Sequence, residues 1–184
     1  MELLLCSASP RRREFLERLG VRFSVASAHI DEERKPDEPA LAYVLRMARE
    51  KAEACARTGQ VTLAADTIVV VGDEVLGKPR DRSDAERMLR LIAGIEHRVI
   101  SAVCVRPQLR AVETAVKFAP LTDAQVRWLA ASGDGDDKAG AYAVQGLAGA
   151  FVERIDGSFT NVVGLPLVET LEMLAKAGVE LPWT

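Results

Sequence analysis

The 184-residue chain carries 24 basic and 27 acidic side chains, a net charge of −3, and 48% of its residues are hydrophobic. This balance argues against a strongly basic, nonspecific nucleic-acid binder, and the apolar fraction suffices for a full core without staples. The length suits one domain spanning 1–184, or two small lobes sharing a sheet.

No apolar run approaches transmembrane length, and Met1-Glu2-Leu3 lacks the basic start of a signal peptide, so no membrane partner is expected and the expected location is cytoplasmic. Cys6, Cys55 and Cys104 are odd in number, far apart and set in apolar patterns, which reads as three buried free thiols in a reducing compartment. With His29 and His97 they make no zinc spacing.

Leu3-Leu4-Leu5-Cys6 predicts a buried strand over 2–6, followed at once by Ser7-Ala8-Ser9-Pro10-Arg11-Arg12-Arg13. Pro10 suits a first helical position, where its missing N–H costs nothing, and Ser9 is the natural N-cap with its hydroxyl turned to a backbone N–H. The helix, 10–19, stops near Gly20. Hydroxyls at a strand end, open helix N–H groups and bidentate arginines together describe a phosphate cradle. The arginines also read as a solvated face, at the unfavourable end of the helix dipole.

A strand at 21–26 and a polar, acidic loop at 29–38 lead to a long helix from about Pro39 to Arg57. Its apolar set is Leu41, Val44, Leu45, Ala48, Ala52 and Cys55. Residues 61–71 are an apolar, β-branched strand interrupted by one charge, Asp66, and Gly72-Asp73 turns it into a hairpin with 74–76. A capped helix at 83–93, two long strands at 97–105 and 109–118, and a helix at 121–131 follow. Residues 132–137 read as a flexible acidic turn, 140–149 as a glycine-rich stretch and 150–155 as a strand. At 161–166 the strand-to-helix logic repeats before a last helix from Pro166 to near Gly178. Interleaved helices, strands and hairpins predict an α/β fold on a long, twisted mixed sheet.

Asp66 carries the strongest chemical signal. An unpaired buried carboxylate is costly, so it must face a cleft, a cation or a strong donor, unless it sits on an edge strand facing water. As a ligand, its oxygen would suit magnesium or manganese rather than zinc. Lys78, between Gly77 and Pro79, is a phosphate ligand or an exposed turn lysine, and Lys51 has the same two readings. Asp31 and Glu32 are a second carboxylate source or a solvated loop. Gln145, a lone amide between Gly140 and Gly146, can donate and accept at a base edge, or simply face water.

Taken in order, several blocks resemble the Maf family, the septum formation proteins that are nucleoside triphosphate pyrophosphatases. They are Ser7-Ala8-Ser9-Pro10-Arg11-Arg12, Asp31-Glu32, Arg49-Glu50-Lys51-Ala52, Ala65-Asp66-Thr67, Gly77-Lys78-Pro79, Asp137-Lys138-Ala139-Gly140-Ala141-Tyr142, Gln145-Gly146 and Val163-Gly164-Leu165-Pro166. The resemblance covers Leu3 through Leu174 and implies an inosine-triphosphatase-like fold with two lobes around a central cleft, often a homodimer. It also implies hydrolysis of a nucleoside triphosphate to monophosphate and pyrophosphate with Mg2+ or Mn2+. Asp66 would be the catalytic carboxylate beside the metal, with Glu32 near the cation. Arg11, Arg12, Lys51 and Lys78 would hold the triphosphate, supported by Ser7. Arg11 after Ser9-Pro10, together with Gln145, resembles the dTTP/UTP branch. The 7-methyl-GTP branch tends to carry tryptophan and glutamate at those places. Two alternatives stay open, a 7-methyl-GTP pyrophosphatase and a nucleotide-binding regulator of septum formation without turnover. The chain departs from the family's frequent Glu-Pro pair before Lys138, reading Gly133-Asp134-Gly135-Asp136-Asp137 instead.

Overall fold

The computed structural model describes residues 1–183. Seven strands form one mixed sheet in the hydrogen-bonded order β2-β1-β3-β5-β6-β7, with β4 paired to β3, as the mixed α/β reading requires. The strands are β1 (Glu2–Cys6), β2 (Phe23–Ala26), β3 (Gln60–Val71), β4 (Glu74–Leu76), β5 (Glu96–Val105), β6 (Gln108–Phe118) and β7 (Val152–Asp156). The helices are α1 (Pro10–Arg18), α2 (Ala40–Cys55), α3 (Arg82–Ile92), α4 (Asp123–Ser132), α5 (Phe159–Val163) and α6 (Leu167–Lys176). The chain forms two compact units. One comprises Met1–Asp66, Ser101–Val112 and the segment from Gly164 onward, and the other Thr67–Ile100 and Glu113–Val163.

In the first unit β1 pairs in parallel with both β2 and β3, Leu3 lying opposite Phe23 on one side and Val61 on the other. A strand flanked on both edges and covered on both faces has no polar face, which is why Leu3, Leu4, Leu5 and Cys6 run consecutively apolar and buried. Leu3, Leu5, Leu16, Leu63, Leu165, Met173 and Leu174 build this unit's core. Helix α1 ends where expected, Gly20 taking a left-handed φ of 71° while the Val21 N–H closes on the Leu16 carbonyl at 3.0 Å.

In the second unit the end of β3 turns antiparallel into β4, with Val70 opposite Val75. Helices α3 and α4 pack with Val69, Leu76, Val99, Val116, Phe118 and Tyr142. Helix α3 begins one residue before the expected start and is capped by Asp81, whose carboxylate accepts the Asp84 N–H at 2.8 Å. A capping box of Thr122 and Gln125 opens α4.

Two expectations are corrected. Residues 159–163 are a short helix rather than a strand. Its Asn161 is fully buried and donates to the Val99 carbonyl at 3.0 Å and to Thr114 Oγ1 at 2.9 Å, satisfying an amide that a strand would have left facing the sheet. The acidic turn at 132–137 is mostly exposed but has one buried residue at its centre. Gly135 is buried, and a Cβ there would overlap the Ala141 carbonyl.

The second correction concerns the thiols. Cys6 and Cys55 form a disulfide, with Cα atoms 5.9 Å apart, and Cys104 alone is a free, buried thiol among the described residues. The two joined cysteines close β1 and α2, so a separation of 49 residues in sequence becomes a short one in space. The reading of a reducing compartment rested on three free thiols and does not follow from this pairing. Thiol titration in denaturant without reductant should therefore find one reactive group per chain, and three after reduction. Three without reductant would contradict the pairing. In the native protein Cys104 should be unreactive, because burial pushes its thiol up to about 11.

Candidate active site

The end of β1 delivers Ser7 to the start of α1 in the first unit. Its hydroxyl oxygen accepts from the Ser9 N–H at 3.2 Å and from Arg12 Nη1 at 3.4 Å. Ser9 occupies the N-cap position with extended dihedrals, but its side chain makes no capping bond, which corrects the expected role of its hydroxyl. The turn is held by Ser7 instead.

Arg12 donates from Nε to the Gly164 carbonyl at 2.8 Å and from Nη1 to the Ala65 carbonyl at 2.7 Å. One guanidinium thus ties the β1–α1 turn to the middle of β3 and to the turn before α6. Burial draws its pKa below the ordinary value. Asp66 and Glu32 pull it back up, and neighbouring Arg11 adds to the lowering. Arginine stays charged throughout. Its Nε and Nη1 are committed to backbone carbonyls, so ordering the turn is its visible task.

Asp66 lies on β3 at 8% exposure, as a carboxylate inside an apolar strand should if it has a cationic partner. That partner is Lys51 from α2, whose Nζ donates to Asp66 Oδ1 at 2.7 Å and to Glu32 Oε2 at 2.7 Å. The Lys51 and Asp66 side chains are 13% and 12% exposed, whereas Glu32 is 54% exposed. One ammonium therefore serves two carboxylates, from a strand interior and from the acidic loop. Asp31 is not brought to this cluster. Its Oδ1 accepts the Glu33 N–H at 2.9 Å and shapes the loop locally.

A divalent cation fits this chemistry. Asp66 and Glu32 converge on one positive group, and both offer hard oxygen donors. Among the described residues no group of three or more His, Cys, Asp or Glu could hold a metal. Two carboxylates with phosphate oxygens and water completing the shell is a usual arrangement for magnesium.

Lys78 and Gln145 belong to the second unit, and both are exposed. The Gly77 carbonyl accepts the Gly140 N–H at 3.0 Å, joining the Lys78 loop to the glycine-rich segment. Gly140 holds φ 73° against Val69, where a Cβ would come within 3.0 Å of the valine side chain. Buried Asp84 shapes the other flank of the Lys78 loop by accepting the Arg80 N–H at 3.1 Å and Arg87 Nε at 2.9 Å. The Arg80 backbone bond, foremost, holds its carboxyl below the usual range. Before Gln145, Tyr142 is buried with its hydroxyl 2.9 Å from His97 Nε2. After it, Asp134 Oδ2 accepts the Leu147 N–H at 3.0 Å. The acidic turn that departs from the family pattern is thus part of the scaffold under Gln145.

The structure brings Ser7, Arg12, Glu32, Lys51 and Asp66 together in the first unit and places Lys78 and Gln145 on exposed loops of the second. Sequence reasoning missed His97, Asp84, Tyr43 and Arg46. Only the last two left a trace, as polar residues about two and about one and a half helical turns before Lys51 on α2.

Comparison with known proteins identifies the family. A family model described as Maf-like protein matches residues 2–177. A protein of Anaeromyxobacter sp. (strain Fw109-5) named dTTP/UTP pyrophosphatase is 55% identical, over 98% of this chain and 92% of its own length. One of the same name from Myxococcus xanthus is 48% identical over 98% and 95%. Another, from Escherichia coli O6:K15:H31, is 49% identical over 94% and 91%. A match that runs nearly end to end, through every element bearing the Ser7, Lys51, Asp66, Lys78 and Gln145 motifs, makes the chain a member of the Maf family.

Proposed function

We propose that the chain hydrolyses dTTP and UTP to the nucleoside monophosphate and pyrophosphate, using a divalent cation, Mg2+ or Mn2+. The observation that carries this reading is the buried Asp66 carboxylate sharing the Lys51 ammonium with Glu32, and the name borne by relatives at 48–55% identity supports the substrates. Asp66 and Glu32 would hold the cation, which when bound would lower the pKa of a water and neutralise phosphate charge.

The residues divide the remaining work. Asp66 would hold the cation and accept the proton of the attacking water, with Glu32 as the second carboxylate. Lys51, beside Asp66 and Glu32, would offer its charge to the phosphates. Ser7 and Arg11 would line the phosphate turn that Arg12 orders. Lys78 would take up charge developing on the pyrophosphate leaving group, since phosphoryl transfer is governed by positioning and charge neutralisation. Gln145 would read the pyrimidine edge, where an amide both donates and accepts. A nucleoside triphosphate pool is intracellular, which supports a cytoplasmic location. The homodimer implied by the family is open to sedimentation velocity.

The test is pyrophosphate release from a panel of nucleoside triphosphates with Mg2+, Mn2+ or no metal. Metal-dependent turnover of dTTP and UTP is expected. Turnover of 7-methyl-GTP alone would overturn the substrate assignment, and tight binding without turnover would overturn the enzyme. On the same panel Gln145→Glu should lose preference for dTTP and UTP, because a carboxylate cannot donate to a pyrimidine carbonyl. An unchanged ranking would remove Gln145 from base recognition.

A further inference from the structure

The acidic loop between β2 and α2 has no helix or strand of its own from residue 27 to 39, and most of it is exposed. Such a segment does not by itself keep a carboxylate at 2.7 Å from a lysine. What fixes it comes from α2. Tyr43 Oη donates to the Glu32 carbonyl at 2.8 Å, and Arg46 Nη2 donates to the Glu33 carbonyl at 3.0 Å. Arg46 also grips Glu38 at the far end of the loop, Nε to Oε1 at 2.7 Å and Nη2 to Oε2 at 2.8 Å, and reaches Glu50 at 3.3 Å. Its guanidinium carbon lies 5.6 Å from the centre of the Tyr43 ring. The middle and the far end of the loop are therefore fastened to the helix that carries Lys51.

We infer that Tyr43 and Arg46 are positioning residues that set Glu32 against Lys51 and Asp66, and so determine how tightly the protein holds its divalent cation. The inference rests on the proposed role of Glu32 and Asp66 as cation ligands. Neither Tyr43 nor Arg46 donates to a carboxylate of the Lys51 cluster. They act through the two backbone carbonyls that follow the Glu32 side chain, those of Glu32 and Glu33. Tyr43 is suited to the donor's task, since its phenolic O–H points at the Glu32 carbonyl at 2.8 Å. Arg46 is suited to a clamp because its planar fork meets the Glu38 carboxylate with two parallel bonds.

Tyr43→Phe in the full chain removes one hydroxyl and keeps the ring under Arg46. Direct Mn2+ binding, read by electron paramagnetic resonance of the free ion, should weaken by about three- to tenfold, the scale of one lost hydrogen bond. The metal concentration for half-maximal turnover should rise by the same factor, while kcat recovers at saturating metal. Arg46→Lys keeps the charge but loses the fork, and should weaken Mn2+ binding at least as much. Glu32→Gln is measured alongside. Weakened Mn2+ binding in Glu32→Gln but wild-type binding in Tyr43→Phe and Arg46→Lys would overturn the positioning role alone. Wild-type binding in Glu32→Gln would overturn the ligand assignment beneath it. A fall in kcat with no change in Mn2+ binding would also overturn the inference, since a loosened fold or a direct role in turnover produces that pattern.

Discussion

Asp66→Asn should lower kcat/KM for dTTP and UTP by about 10^3-fold, about 4 kcal/mol of transition-state stabilisation, while leaving the protein folded. The size follows from what the substitution removes. Asparagine keeps the shape and can still accept the Lys51 proton, but it offers no negative charge to a cation and cannot take a proton from water. The folded state is protected by the sharing of Lys51. Its Nζ keeps the Glu32 carboxylate at 2.7 Å when Asp66 is neutralised, so no charge is stranded in the low-exposure pocket. Removing Lys51 instead would leave two carboxylates facing each other, a heavier cost to the fold and a poorer test of chemistry. The measurement is pyrophosphate release at saturating Mg2+ with a thermal melt on the same sample. Turnover within a few-fold of wild type, with the melt unchanged, would reduce Asp66 to a structural partner of Lys51.

That Asp66 matters was legible in the sequence because a charge inside an apolar strand has a burial cost that only a partner can offset, and Lys51 at 2.7 Å is that partner. The strands, the long helix and the Gly20 stop were legible for a similar reason, since periodicity and left-handed glycine are local properties. What escaped was long-range. Nothing local marks Cys6 and Cys55 as neighbours, because it is the pairing of β1 with β3 and the packing of α2 that bring their Cα atoms to 5.9 Å. Arg12 also holds the Gly164 and Ala65 carbonyls through Nε and Nη1, and these lie 152 and 53 residues away, so no local pattern marks them. In the 132–137 turn only the left-handed end of α4 at Gly133, φ 73°, is a local feature, whereas the close approach of Gly135 to the Ala141 carbonyl is tertiary.

His97 should make the protein acid-sensitive in a defined window. Its ring is 2% exposed and lies between the Phe118 and Tyr142 rings, with centroids 5.8 and 5.5 Å away. Nε2 meets the Tyr142 hydroxyl at 2.9 Å, and Nδ1 has no hydrogen-bond partner among the described residues. Burial lowers its pKa from 6.5 to about 4 in the folded protein. Between those values the unfolded chain binds a proton that the folded chain refuses, so stability rises with pH there. The contribution is complete above pH 6.5, is lost as pH falls toward 4, and is constant below that. The two pKa values set its size at roughly 3 kcal/mol. Carboxylates titrate over part of the same range, so the measurement is a difference: urea unfolding of wild type and His97→Gln from pH 7 to pH 4. Glutamine keeps a polar partner for the Tyr142 hydroxyl and has no proton to gain. The wild type should lose roughly 3 kcal/mol more than the variant across that window. Parallel curves would mean that the imidazole is charged or solvated in the folded state.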